Sequence, residues 1–124
     1  SIYTTEFDQS HHFLLVLEDL NINLPETQKG ITLVNRENYS LDSLSVTNML
    51  LNKHVQILRV SSFSDKERAM VYYDVIKNNK NTKEIFLNID VTPIVISHNN
   101  FNKLIKQKNI NRYEKYFNSI YLLN

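Results

Sequence analysis

His11, His12, His54 and His98 are the side chains best suited to general-base or metal chemistry in this sequence. Their spacing argues against a metal. His11 and His12 are neighbours, so on a strand they point to opposite faces. No H-x-H, H-x-x-x-H or H-E-x-x-H pattern occurs, and there is no cysteine, so the common zinc ligand sets are missing. Glu18 and Asp19 are adjacent carboxylates at a strand end, where solvated acids are ordinary. There is no G-x-S-x-G and no thiol for a Cys-His pair. The single glycine, Gly30, cannot form a phosphate-cradling loop. No catalytic residue, metal or cofactor is expected, and the chain is read as a non-enzyme.

Any binding site would have to be positioned by the following elements. His12 to Leu17 is a continuous apolar run, which predicts a central strand buried on both faces. Asn23 with Pro25 and Glu26 predicts a capped helix ending near Asn38, with Leu24, Ile31 and Val34 on one side. Gly30 inside that helix carries a propensity cost of about 1 kcal/mol relative to Ala. Leu44 to Leu50 and His54 to Ser61 predict a hairpin, with Val55 and Ile57 on one face of the second strand and Leu58 and Val60 on the other. Leu44, Val46 and Leu50 are read as sharing a face. Ser64-Asp65-Lys66-Glu67 reads as a capping box opening a helix at Ser64, with Ala69, Tyr73 and Ile76 as its stripe. Ile85 to Leu87 fits either a helical turn or a short strand. Pro93 to Ser97 is the last strand, with Pro at its first residue. Phe101 and Leu104 mark one further helix; Ile110, Tyr113, Phe117, Ile120 and Tyr121 mark another.

The order β-α-β-β-α-β followed by helices is the split βαβ, ferredoxin-like pattern, an α+β class. Residues 1–10 are read as a loosely ordered lead and 11–124 as one domain. The fold leaves one sheet face open unless the aromatic terminal helix covers it. The five helical tyrosines, Tyr72, Tyr73, Tyr113, Tyr116 and Tyr121, are read first as core and helix docking, and otherwise as an interface.

Composition sets further bounds. The 124 residues suit one core, and a net charge of +1 gives no global field for nucleic acid. The strand His54-Val55-Gln56-Ile57-Leu58-Arg59-Val60 lacks the exposed aromatics that stack RNA bases, so no nucleic-acid partner is expected. No apolar run approaches the roughly 18–20 residues of a membrane span. Residues 1–28 hold acids and no Lys or Arg, whereas residues 101–124 hold Lys103, Lys106, Lys108, Arg112 and Lys115 against Glu114. The two ends are therefore expected to attract each other, or the basic end to meet an anionic partner. The chain opens on Ser1 without a methionine, so it is read as a piece of a longer protein.

Five stretches carry a family resemblance: His12-Phe13-Leu14-Leu15-Val16-Leu17; Asn35-Arg36-Glu37-Asn38-Tyr39-Ser40; Phe63 with Ala69, Tyr72 and Tyr73; Val95-Ile96-Ser97-His98-Asn99-Asn100-Phe101; and Tyr113 with Tyr116-Phe117. In this order they resemble the C-terminal domain of the tetratricopeptide-repeat lipoproteins of the type IX secretion and gliding-motility machinery, over about residues 10–121. The resemblance implies a periplasmic domain of an outer-membrane lipoprotein, whose lipid anchor and helical repeats lie in the missing N-terminal part. It also implies a non-catalytic role built on contacts with envelope or secretion-apparatus proteins, or with the parent's own repeats. No ligand residues transfer with it.

A second, local resemblance lies in Leu58-Arg59-Val60-Ser61-Ser62-Phe63-Ser64 followed by Ala69. This is similar to the strand-to-helix segment of sporulation-related repeat domains, with Ser61 where those usually have Gly. It implies peptidoglycan as the alternative ligand, held in a sheet groove by Gln56 and Arg59. For a protein partner, Asn99 and Asn100 are the candidates from their place in a loop.

Overall fold

The run at His11–Leu17 forms β1, and every one of its residues is buried. Such a strand needs a neighbour on each side and a layer on each face. In the computed structural model, which describes residues 1–122, it has all four. The elements follow as β1, α1 (Leu24–Asn38), β2 (Ser45–Asn52), β3 (Val55–Phe63), α2 (Lys66–Asn78), a 3-10 turn (Lys83–Leu87), β4 (Val91–Ser97), α3 (His98–Gln107) and α4 (Ile110–Ile120). The molecule is α+β, with an antiparallel sheet of order β2-β3-β1-β4.

Local chemistry explains the boundaries. Asn23 caps α1 through its side chain, which accepts from the Glu26 N–H at 3.2 Å, and Pro25 sits in the first turn. Asp65, not Ser64, caps α2: its carboxylate accepts the Arg68 N–H at 2.9 Å. The acid binds the exposed helix N-terminus more strongly than the hydroxyl one residue earlier would, because its charge also meets the helix dipole. Ser97 caps α3 by accepting from the Asn100 N–H. Pro93 is the third residue of β4, not its first, and is tolerated because β4 is an edge strand. Ile85 to Leu87 belongs to the 3-10 turn.

Two layers sandwich the sheet. Phe13 packs edge-on against Tyr72 of α2 at 5.1 Å, and Tyr72 in turn meets Tyr39 and Phe63. Its hydroxyl donates to Asn35 of α1 at 2.6 Å, tying the two helices of that layer together. On the opposite face, Phe101 of α3 lies 5.2 Å from the His12 ring, and Leu14, Val16, Ile57, Ile94 and Ile96 beneath that layer are buried. The cover comes from α3. The terminal helix α4 instead runs beside β4: the Tyr113 hydroxyl donates to the Val95 carbonyl at 2.6 Å, and Phe117 meets Tyr73 of α2. Ile120, read as part of the α4 stripe, is 37% exposed. Leu50 shares a strand face with Val46 but stands 63% exposed on the edge strand.

Gly30 has a steric reason. A Cβ there would lie 2.9 Å from the Asn81 carbonyl oxygen, on the loop that Thr82 fastens to the end of α2 by donating to Ile76 and Asn79 carbonyls. Helix propensity alone predicts that Gly30→Ala gains about 1 kcal/mol. The clash is with backbone, so we expect a net loss of about 1–2 kcal/mol, in the range of overpacked cores. A denaturant midpoint shift measures it, and a gain in stability would show that the 79–82 loop yields freely.

Residues 1–10 have no regular structure, yet they do not hang loose. Tyr3 is buried against Tyr113 and Tyr116. The Phe7 carbonyl accepts from Lys66, and the Ser10 carbonyl accepts from His98. The segment is a strap that crosses α3, α4 and the start of α2. Lys103 Nζ donates there to the Ile2 backbone carbonyl at 2.9 Å, and among the described residues no ion pair joins the acidic start of the chain to its basic end.

Candidate functional site

The four residues singled out from sequence do not form one site. Leu17 stands opposite Gln56 and Leu14 opposite Arg59, so the two side chains point to opposite faces of the sheet. Their separation of three along a regular strand already dictates this, and parity alone was the signal. Arg59 lies over the Phe101 ring at 5.1 Å, on the face that α3 covers. A groove holding both residues on an open sheet does not exist here.

Asn100 is fully buried and engaged. Its Oδ1 accepts from the Thr4 N–H at 3.2 Å, and its Nδ2 donates to the Thr4 carbonyl at 2.8 Å. The amide thus pairs with one backbone residue of the strap as a neighbouring strand would. At 0% exposure, the side chain is out of a partner's reach. Asn99 remains exposed and donates to Glu6 at 3.3 Å. Within Val95-Ile96-Ser97-His98-Asn99-Asn100-Phe101, then, Ser97 caps α3, Asn100 clamps the strap and Phe101 seals the sheet. No sequence signal reveals the clamp, because Thr4 and Asn100 are far apart in the chain.

The helical aromatics are packed inside as well. Tyr72, Tyr73, Tyr113 and Tyr121 are buried, and Tyr116 is half-buried with its hydroxyl 3.0 Å from Thr5 Oγ1. Burial pushes the Tyr72, Tyr113 and Tyr121 phenols up, leaving them neutral donors.

The histidines divide as strand parity requires. On the α1–α2 side, His11 Nδ1 lies 2.7 Å from the Gln9 carbonyl and Nε2 lies 2.8 Å from the Tyr121 hydroxyl. Burial lowers its pKa, with opposing help for the charged form from the Gln9 carbonyl. On the α3 side, Ser61 Oγ, His12 and His98 form a line: 2.9 Å to His12 Nδ1, then 3.0 Å from His12 Nε2 to His98 Nδ1. Burial first, then the charges of Arg59, His98 and His11, push His12 down to about 4. The line joins β1, β3 and α3 through a neutral imidazole. Among the described residues no three His, Asp or Glu side chains gather as a metal set.

Searches against protein-family models, curated proteins and solved structures return no match to this chain. The surface itself therefore carries the functional argument.

Where β1 ends and β4 begins, three apolar side chains face solvent: Leu20 at 48%, Leu87 at 78% and Ile89 at 94% exposure. The register sets Leu17 opposite Val91, so the two loops that carry them leave the same end of the sheet. These loops are held. Glu18 N–H donates to the Asp90 carbonyl at 2.9 Å, and Asp90 and Val91 N–H groups bond back to Asn88. Glu18, Asp19 and Asp90 give this patch an acidic border. A separate cleft of about 660 Å³ lies between the Tyr39–Leu44 region and the start of α2. Its cation, Arg68, is already paired with Asp65 at 2.8 Å. No helix among the described residues is long and apolar enough to cross a membrane.

Proposed function

We propose that this chain is a non-catalytic protein-interaction domain of ferredoxin-like type, working in the periplasm as part of a lipoprotein that supports type IX secretion or gliding motility. The element order β-α-β-β-α-β with sheet order β2-β3-β1-β4 supports the fold-type reading. One observation carries the interaction reading. Leu20, Leu87 and Ile89 all face solvent at one end of the sheet, on segments joined by the Glu18–Asp90 hydrogen bond, with Glu18, Asp19 and Asp90 beside them in sequence. Single exposed apolar residues are common, but a grouped set with a polar rim is how docking surfaces look. The matching partner presents an apolar anchor flanked by basic side chains.

The test uses the domain as bait in envelope extracts, beside a chain carrying Leu87→Asp and Ile89→Asp, with co-sedimentation on purified peptidoglycan sacculi as a second arm. Secretion-apparatus proteins are expected on the wild-type bait. Their retention should fall at least about tenfold on the variant, the effect of losing two central anchors. Equal capture by both baits removes the patch from the argument. Saturable binding to sacculi, lost on Arg59→Ala or Gln56→Ala, replaces the protein partner with a glycan.

A further inference from the structure

The sheet has two edges, and the molecule treats them differently. At β4, α4 lies alongside and Tyr113 satisfies the Val95 carbonyl. At β2, among the described residues, no strand is alongside on the outer edge. Beyond β3, no backbone group of residues 45–50 finds a hydrogen-bond partner among the described residues. Edge strands of monomers are blunted by lysines, prolines, shortness or bulges. This one, Ser-Val-Thr-Asn-Met-Leu-Leu-Asn, is eight residues long with no charge and no proline, and its one irregularity comes at its far end, between Leu50 and Asn52.

We propose that β2 pairs antiparallel with β2 of a second copy of this chain, about a two-fold axis through Asn48, joining the two sheets into one. A two-fold perpendicular to the sheet requires opposite residues to point to the same face, so the axis must pass through a residue. At Asn48 the two exposed amides face each other. Val46 then stands opposite the second copy's Leu50 on the α1 side, and Thr47 opposite its Met49 on the other. Leu50, 63% exposed in the single chain, gains a seat. Beside Val46 a shallow cleft is lined by Thr32, Asn35, Arg36, Tyr39 and Leu44, and it receives that side chain. Isologous contacts of this self-complementary sort are the usual route to dimers.

Sedimentation equilibrium over a concentration series tests the pairing, with circular dichroism on each variant to check its fold. The wild type is expected to pass from monomer to dimer as concentration rises. Asn48→Lys places two cations on the axis, at a site exposed in the single chain, and should raise the dissociation constant at least about tenfold. Leu50→Asp, at a side chain exposed in the single chain, removes the group that enters the cleft beside Val46 and should weaken the dimer likewise. The Leu87→Asp, Ile89→Asp chain should dimerise as wild type does, which separates this edge from the docking patch. A single monomeric species up to about 1 mM, the weak limit of specific association, would overturn the proposal. So would a dimer indifferent to Asn48→Lys or to Leu50→Asp.

Discussion

Acidifying the folded protein from pH 6.5 towards 4 should remove on the order of 3 kcal/mol of stability through His12 alone. The folded imidazole is held down to about 4 from its ordinary 6.5, chiefly by burial and then by Arg59, His98 and His11. Between those values the unfolded chain binds a proton that the folded one refuses. The stabilisation is therefore complete above pH 6.5 and is lost as pH falls through the folded value. Urea titrations at a series of pH values give the slope. His12→Gln keeps an amide within reach of Ser61 and His98 but cannot titrate. Its pH dependence should be shallower by one proton across that window. Some slope will persist, because burial lowers His11 too. If the wild type and His12→Gln follow parallel curves, His12 is not held neutral by the fold.

The second large effect belongs to Asn100. Asn100→Ala deprives the Thr4 N–H and carbonyl of their partners together, which should cost about 2–4 kcal/mol. Asn100→Asp should be worse at neutral pH, since a carboxylate oxygen would then face the Thr4 carbonyl. The amide of Thr4 reports the event directly, as faster hydrogen exchange than in the wild type. A residue kept for contact with a partner behaves otherwise. If Asn100→Ala shifts stability by less than about 0.5 kcal/mol, as surface substitutions do, the clamp is not the role of this side chain.

Much of the scaffold could be read from sequence because its causes are local. The apolar run of β1 can only be a central strand. Asn23, Pro25 and Glu26 fix the start of α1, and the face assignments along β3 hold residue by residue. The errors also have local causes. Asp65 outcompeted the neighbouring Ser64 as cap, and Gln56 and Arg59 were placed together against the parity of their own strand. Other features depend on contacts that no window of sequence contains. Gly30 answers to a carbonyl 51 residues later, at Asn81, and Asn100 answers to a strap at the start of the chain. The outward patch hid for the opposite reason. Leu87 and Ile89 look like any buried aliphatic until the loop that carries them is seen fastened in the wrong direction for a core.

The clamp between Thr4 and Asn100 spans 96 residues of chain. Closing so large a loop carries an entropic penalty that grows only with the logarithm of its length, so the contact is affordable once the rest is built. It has no partner before then: Asn100 is aimed only after β4 and α3 have docked on β1. The strap must consequently be among the last pieces to settle during folding, since long-range contacts wait for the intervening chain to order. For the same reason it is among the first to lift in a native fluctuation. Such an opening would uncover Tyr3 and the aromatic seam of Tyr113 and Tyr116 while the sheet stays intact.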